Sequence, residues 1–376
     1  MAGIYIHIPY CKSKCIYCDF YSTPQVASME QYVHSLLCEA KLRSDEISNE
    51  AISTIYIGGG TPSFLPLELM TVLINGLHSI FNFEKVEEFT IEVNPDDVSI
   101  DYVEKLLTLG VNRVSMGVQS FNDIELHTVN RRHSAKQAIE AVYTIKQAGI
   151  NNVSIDLIYG LPGQSLNSWK KNVDQAIDLE VQHISAYCLS YEPGTRLWVM
   201  REQGKVQEAS EELCVAMYNT LVIKLKQAGF EHYEISNFAR PGYHSCHNSS
   251  YWNFEPYLGL GAAAHSFDGL IRRFNPSSIK KYITTLLSGE NAFVEDPMEW
   301  WERYDEEVML RLRTSEGLDT NLIREHYGNK VFNIINKKAE QFIEKGLLKR
   351  NEEIIVLTDE GIMLSDSIIR DLMWDN

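Results

Sequence analysis

Six short β-rich runs, most of them followed by a helix-like stretch, occupy the first half of this chain. They are Ile4–Ile8, Thr54–Ile57, Glu88–Val93, Arg113–Val118, Val153–Ile158 and His183–Leu189. Met29–Ile47, Pro66–Phe81, Ile100–Leu109, Ala135–Gln147 and Leu166–Leu179 read as helices between them. Gly110 and Gly149 stand just past two of these helices, where a helix commonly ends. Strands joined through crossover helices run parallel, so the pattern predicts an α/β fold built on a parallel sheet. Periodicity alone does not separate a curved, incomplete barrel from an open doubly wound sheet.

The first run leads into Tyr10-Cys11-Lys12-Ser13-Lys14-Cys15-Ile16-Tyr17-Cys18-Asp19-Phe20, a C-x3-C-x2-C spacing. Three thiolates this close can hold three irons of a [4Fe-4S] cube, which leaves the fourth iron without a protein ligand from the loop. An open metal position can take a small molecule. Structural zinc usually shows two separated ligand pairs, and no second cysteine pair follows. Lys12 and Lys14 mark an exposed loop and favour thiolates. The spacing resembles the signature of radical S-adenosylmethionine proteins. That resemblance implies a cluster on Cys11, Cys15 and Cys18, with S-adenosylmethionine on the fourth iron. Cys38, Cys188, Cys214 and Cys246 are scattered and suggest no disulfide framework, in keeping with a reducing cytoplasm.

In parallel β/α folds, chemistry gathers beyond the C-terminal ends of the strands. After the cysteine loop, those places hold Gly58-Gly59-Gly60-Thr61-Pro62, Glu92-Val93-Asn94-Pro95, Gly117-Val118-Gln119-Ser120-Phe121, and Asp156 with Tyr159-Gly160-Leu161-Pro162-Gly163. One glycine triplet is usually a turn, and one strand-end Glu is often a salt-bridge partner. Repeated after strand after strand, they point to one shared site. The triplet lets backbone approach a ligand and present N–H and C=O groups. Glu92 and Asp156 can accept from ribose hydroxyls or an ammonium, and Gln119 can donate and accept. Arg131 can pair with a carboxylate in bidentate fashion. Tyr17 can pack on adenine.

The runs IYIHIPYCKSKCIYCDF, IGGGTPS, IEVNP, GVQSF and DLIYGLPGQ together resemble the oxygen-independent coproporphyrinogen III oxidase superfamily. The resemblance covers nearly the whole chain. It implies an α/β fold, an incomplete (β/α)6 barrel with a small C-terminal winged-helix-like domain. It also implies S-adenosylmethionine contacts at Tyr5, Tyr17, Gly59, Gly60, Thr61, Glu92, Gln119, Arg131 and Asp156. The resemblance implies Arg131 in preference to Arg132, because Arg131 lies twelve residues after Gln119, as in the family.

Two branches share that core. The decarboxylase branch carries a further cysteine two positions after the third, where this chain has Phe20, and an additional segment before the first strand. Both departures point to the heme-chaperone branch. So does His247-Asn248-Ser249-Ser250-Tyr251-Trp252, which matches that branch's HNxxYW motif. The resemblance implies heme as cargo, apo-hemoproteins such as respiratory-chain cytochromes as acceptors, and an electron donor. His247 is the best single candidate for an axial heme ligand, an imidazole inside an aromatic run. A hydrogen-bonded structural histidine is the plainer reading of the same residue, and Cys246 and His244 are alternative ligands beside it. Radical decarboxylation of coproporphyrinogen III and radical-initiated heme ring opening stand as the enzymatic alternatives.

Past about Tyr191 the alternation weakens. Glu211–Gln227 reads as a helix, Glu231–Ile235 as a further strand, and Pro241–Leu260 as an aromatic, turn-rich stretch. From about Asn291, Tyr304–Arg313, Leu322–His326 and Val331–Lys345 read as helical, and then strand, strand and helix follow in a winged-helix-like order. This divides the chain into 1–190, 191–290 and 291–376. Gly259-Leu260-Gly261-Ala262-Ala263-Ala264 carries the letters of a dinucleotide fingerprint without the strand before and helix after that the fingerprint requires. At 376 residues and 44% hydrophobic content, the chain exceeds the ~250–300 residues at which one core stops growing. Its net charge of −17 argues against nucleic acid as a partner. No run of ~18 apolar residues reads as a membrane span and no leader is expected, so the chain is expected in the cytoplasm.

Overall fold

The computed structural model describes residues 2–47 and 50–374. The first half alternates β1 (Ala2–Ile8), α1 (Met29–Leu42), β2 (Ile52–Gly59), α2 (Leu67–Ile80), β3 (Glu88–Val93), α3 (Ile100–Thr108), β4 (Arg113–Gln119), α4 (Asp123–Thr128), α5 (Ala135–Gln147), β5 (Asn152–Tyr159), α6 (Leu166–Asp178) and β6 (His183–Cys188). The helices begin where the chain supplies a cap. Ser99, Asn122, Ser134 and Ser165 each accept a backbone N–H at the start of α3, α4, α5 and α6. At α5, Gln137 completes a capping box with Ser134.

Strands β1 to β6 pair in parallel, each with the next. Ile4, Ile6, Ile8, Ile55, Ile57, Ile91, Val114, Met116, Val153, Ile155 and Leu157 are buried along them. Each buried aliphatic side chain of this kind contributes roughly 1.5–3 kcal/mol relative to exposure.

The chain continues through α7 (Arg196–Glu202), α8 (Glu211–Gln227), β7 (Glu231–Glu234), β8 (Asn237–Ala239), α9 (Cys246–Trp252), β9 (Tyr257–Leu260), β10 (His265–Phe267), β11 (Ile271–Phe274), α10 (Ile279–Leu287) and β12 (Val294–Pro297). These segments widen the same sheet at both edges, giving the order β12-β11-β10-β9-β1-β2-β3-β4-β5-β6-β8-β7. Leu258, Leu260, Tyr282 and Leu286 share the core of the parallel strands. A parallel strand thus lies inside the stretch expected to be turns: β9 pairs with β1, Gly3 opposite Tyr257. A side chain at Gly259 would strike the His265 carbonyl oxygen, because β10 folds straight back over it. As expected, no strand fills the stretch between Trp252 and Tyr257; β9 begins only at Tyr257 and itself contains Gly259-Leu260. The helix the dinucleotide fingerprint needs after it is replaced by the antiparallel β10.

The last segment comprises α11 (Trp300–Leu312), β13 (Leu318–Asp319), α12 (Thr320–Glu344), β14 (Leu348–Asn351), β15 (Ile354–Leu357), α13 (Asp359–Ile362) and α14 (Ser365–Leu372). Gly328, at φ 82°, breaks α12 into the two helices expected there. A three-stranded antiparallel sheet and these helices enclose a core of their own, including Tyr304, Val308, Ile335, Leu348, Ile355 and Ile368. Among the described residues, no helix is long and apolar enough to cross a membrane.

Candidate functional site

The C-terminal ends of the parallel strands open onto a solvent-facing cavity of about 910 Å³. Its wall brings together Cys11, Cys15, Tyr17, Cys18, Gly59, Gly60, Thr61, Glu92, Gln119, Arg131 and Asp156. Tyr5 and His247 are not on that wall.

The cysteine loop is held at its base and its tip. Cys11 N–H donates to the Thr23 carbonyl at 3.0 Å and Thr23 N–H to Pro9 at 2.8 Å. Asn130 Nδ2 donates to the Lys14 carbonyl at 3.1 Å, and Leu197 N–H to Ile16 at 2.8 Å. Lys14 spends its ammonium on the Phe20 carbonyl at 3.1 Å. Burial pushes the Cys11 thiol up and the Cys18 thiol up to about 11, against the thiolate character expected from the lysines. Taking up metal therefore means releasing protons. All three cysteines are free. Among the described residues no fourth cysteine lines the cavity, and no three His, Cys, Asp or Glu side chains converge closely enough to hold a single ion. Three free thiols from one loop fit an iron–sulfur cube with one iron left over.

The glycine triplet serves its neighbours first. A Cβ on Gly59, whose φ is +112°, would lie 2.6 Å from the His7 ring, and one on Gly60 would lie 2.9 Å from the Tyr10 carbonyl oxygen. Gly59 N–H donates to Glu92 Oε2 at 3.0 Å and Gly60 N–H to Ile8 at 2.9 Å. These two N–H groups, expected to face a ligand, are already satisfied by protein.

Glu92 also accepts from the Tyr56 hydroxyl at 2.8 Å. Burial raises its pKa to about 7, and the nearby Asp156 adds to the rise. Burial raises Asp156 to about 6 against the opposing pull of Ser185 and Arg113. Gln119 ends β4 at φ 69°, next to a register shift between Gly117 and Gln119. Such a bulge re-aims a side chain at a strand end, and the strained backbone is typical of functional positions.

The two arginines both line the cavity but take different partners. Arg131 Nη1 donates to Cys15 Sγ at 3.4 Å, and its Nη2 bonds Asn94 Oδ1 and the Gly117 carbonyl. Arg132 pairs with Asp96 at 3.1 Å and Asp97 at 3.2 Å. Ser115, Asn94, Gly117 and Asn130 also line the cavity and were not singled out as ligand contacts. The signal for Ser115 was available, since it lies two residues before Gly117 on β4 and so faces the same side.

Tyr5 donates its hydroxyl to His7 Nδ1 at 3.0 Å and stacks on Tyr56 at 6.2 Å. His247 lies in the core with 0% exposure. Its Nδ1 is bonded to Thr54 Oγ1 at 2.8 Å, its Nε2 to the Tyr251 hydroxyl at 2.8 Å, and its ring stacks on Tyr56 at 5.2 Å. Burial lowers its pKa to about 3. In this arrangement neither ring nitrogen is free for iron, and the structural reading of His247 describes the geometry. Nor does a metal tract form around it. Cys246 Sγ reaches only the His244 carbonyl at 3.9 Å, while His244 bonds Glu231 at 2.8 Å. The HNxxYW run forms α9, seated on β3 because the Glu88 carboxylate accepts from Cys246 N–H at 2.8 Å and His247 N–H at 3.1 Å.

Comparison with known proteins agrees with this architecture. The chain matches the Radical SAM superfamily over residues 5–176 and the HemN C-terminal domain over residues 300–364. It is 34% identical to the heme chaperone HemW of Bacillus subtilis (strain 168), covering 98% of each chain. It is 29% identical to the mitochondrial radical S-adenosyl methionine domain-containing protein 1 of Bos taurus, over 99% of this chain and 87% of that one. The solved structure of the Escherichia coli coproporphyrinogen III oxidase HemN superposes with a TM-score of 0.85 at 23% identity, over 99% of this chain and 90% of that one. At that identity the likeness carries the fold alone: an α/β radical-SAM-type fold with a C-terminal helical extension.

Proposed function

The chain belongs to the HemW family of radical S-adenosylmethionine proteins, and from that premise we propose that it is a heme chaperone. It takes up heme and passes it to apo-hemoproteins such as respiratory-chain cytochromes. It works in the cytoplasm, with a separate electron donor serving the cluster. The observation that carries this reading is the cavity: three thiols and the strand-end polar groups meet in it. Phe20, 64% exposed, stands on its wall at the position where the decarboxylase branch has a further cysteine. In this reading residues 1–190 form an incomplete (β/α)6 barrel, 191–290 an extension carrying the HNxxYW run, and 291–376 a winged-helix-like tail.

Cys11, Cys15 and Cys18 would hold a [4Fe-4S] cluster, which supplies one iron free to bind S-adenosylmethionine. Around it Glu92 and Asp156 would accept from the ligand's ammonium and ribose hydroxyls. Gln119 would donate and accept beside them. Arg131 would contribute fixed positive charge and Thr61 a hydroxyl, and Tyr17 would offer its ring face to adenine. Tyr5 would act indirectly, through Tyr56, whose hydroxyl donates to Glu92.

The expected result for S-adenosylmethionine is a loss of affinity in Asp156→Ala with the cluster retained. A hydrogen bond to a charged group is worth roughly 1.5–3 kcal/mol, about 10- to 150-fold in affinity. The ligand is cationic, so binding favours ionised carboxylates. With Glu92 at about 7 and Asp156 at about 6, affinity should rise between pH 6 and pH 8, by about tenfold for the Glu92 step alone. Glu92→Gln should flatten that rise. Both carboxyls are raised on folding, so in the ligand-free chain they favour the fold at acid pH. That contribution is lost as pH rises through about 6 to 7. Anaerobic calorimetry across this window checks the set, and a pH-independent affinity would remove the two carboxylates from the site.

The chaperone reading itself is tested by anaerobic titration with heme, alongside incubation with coproporphyrinogen III and mass spectrometry of the products. The expected outcome is near-stoichiometric heme uptake with the porphyrinogen unchanged. Decarboxylated product without heme uptake would replace the chaperone by the oxidase.

A further inference from the structure

The C-terminal helical unit carries a surface groove of about 620 Å³ lined by Trp300, His326, Tyr327, Lys330, Val331 and Trp374. Its walls are aromatic: Trp300 and Trp374 meet edge to face with ring centroids 4.9 Å apart. Lys330 Nζ sits 6.0 Å from the centre of the Trp374 ring. Trp300 is 43% exposed, a large apolar side chain left facing water on a chain that has a core available for it.

His326 is the group that gives the groove chemistry. Its Nδ1–H donates to Glu307 Oε2 at 3.1 Å, and that same oxygen accepts from the Tyr327 hydroxyl at 2.9 Å. Glu307 is only 7% exposed, so a buried carboxylate pins the imidazole. Nδ1 is thus committed to the carboxylate, while Nε2 has no hydrogen-bond partner among the described residues. A carboxylate oriented behind an imidazole is the usual support of a metal-ligating histidine. His247 offers the reverse, two engaged nitrogens and no exposure.

A free imidazole nitrogen, flat aromatic walls and an ammonium beside them match the three parts of an iron porphyrin: metal, ring and propionates. A docked peptide helix would account for the apolar walls but would have no use for the open nitrogen. We propose that this groove is a heme-docking site, with His326 Nε2 as the axial ligand and Lys330 facing a propionate. The proposal rests on the chaperone reading, which supplies heme as the cargo. Docking forms one N–Fe bond from the imidazole lone pair and displaces water or chloride from ferric heme. No electron changes hands.

The test is a titration of the full-length protein with hemin, followed by Soret absorption and electron paramagnetic resonance. Wild-type protein should bind about one heme with an imidazole-ligated spectrum. Losing a partner that merely orients a metal ligand costs roughly 10- to 100-fold in metal affinity. His326→Ala, which removes the ligand itself, should lose at least that much and shift the Soret band. Imidazole added to His326→Gly should restore the wild-type spectrum, which a fold defect would not allow. Lys330→Glu should weaken binding without altering the spectrum. If wild-type protein binds heme and His326→Ala binds it with unchanged affinity and spectrum, the groove is not the site, although the chaperone reading survives. If wild-type protein takes up no heme, both fall together.

Discussion

Cys15→Ala should leave anaerobically reconstituted protein without a [4Fe-4S] cluster, and Cys11→Ala and Cys18→Ala should do the same. A cube held by three thiols has no spare ligand. Removing one leaves two irons open to solvent and thiol scavengers, and no fourth cysteine among the described residues lines the cavity to replace it. The loss should not reflect unfolding, because the loop is tied by backbone bonds at Cys11, Thr23 and Ile16 that do not involve the thiols. Iron and sulfide analysis with Mössbauer spectroscopy reads the outcome. Full cluster occupancy in Cys15→Ala would show that other groups hold the irons. Cys188→Ala is the matched control and should keep its cluster. Cys188 lies off the cavity, close to Cys214: a Cβ built on Gly160 would sit 3.9 Å from one sulfur and 3.3 Å from the other.

The second large effect is expected at His247, and it is a loss of stability. His247→Ala empties a fully buried aromatic site and strips the partner from Thr54, itself buried. It also removes the ring stacked on Tyr56, whose hydroxyl holds Glu92. Large-to-small changes in a core cost roughly 2–5 kcal/mol, and a stranded buried hydroxyl adds about 1–3 kcal/mol. The denaturation midpoint should fall accordingly, and S-adenosylmethionine binding should weaken with it through the displaced Tyr56. Chemical denaturation of the variant beside wild type measures the shift. A variant that unfolds at the wild-type midpoint but no longer retains heme would make His247 a ligand after all, and the bonds to Thr54 and Tyr251 would then have to open when heme arrives.

Much of the site was legible because of one constraint. Parallel strands joined by crossover helices all end on the same rim, so Cys11, Gly59, Glu92 and Gln119 could be assigned to one cavity from their place after each strand. At the edges of the sheet only β7 was legible, as the run Glu231–Ile235. Strands β8, β9 and β10 are three or four residues long, too short for period-two alternation to register, and a glycine sits within β9 because β10 crosses it.

What the order of residues determined by itself was the set of groups sharing a rim, since chain connectivity dictates strand direction before any side chain packs. Which of those groups are still free to meet a ligand was decided only by tertiary contact. Neighbours in sequence, Arg131 and Arg132, turn to Cys15 and to the Asp96–Asp97 pair respectively. Burial, not the adjacent lysines, controls the Cys18 thiol and lifts it to about 11. The same holds for the two histidines weighed as heme ligands. His247 sits in the suggestive motif, yet both its nitrogens are taken, one by Thr54 from a distant strand. His326 sits in no motif, yet a buried carboxylate nineteen residues away in sequence leaves its Nε2 open. A hydrogen bond needs its partner within about 3 Å, and for pairs this far apart along the chain only the folded core brings that about.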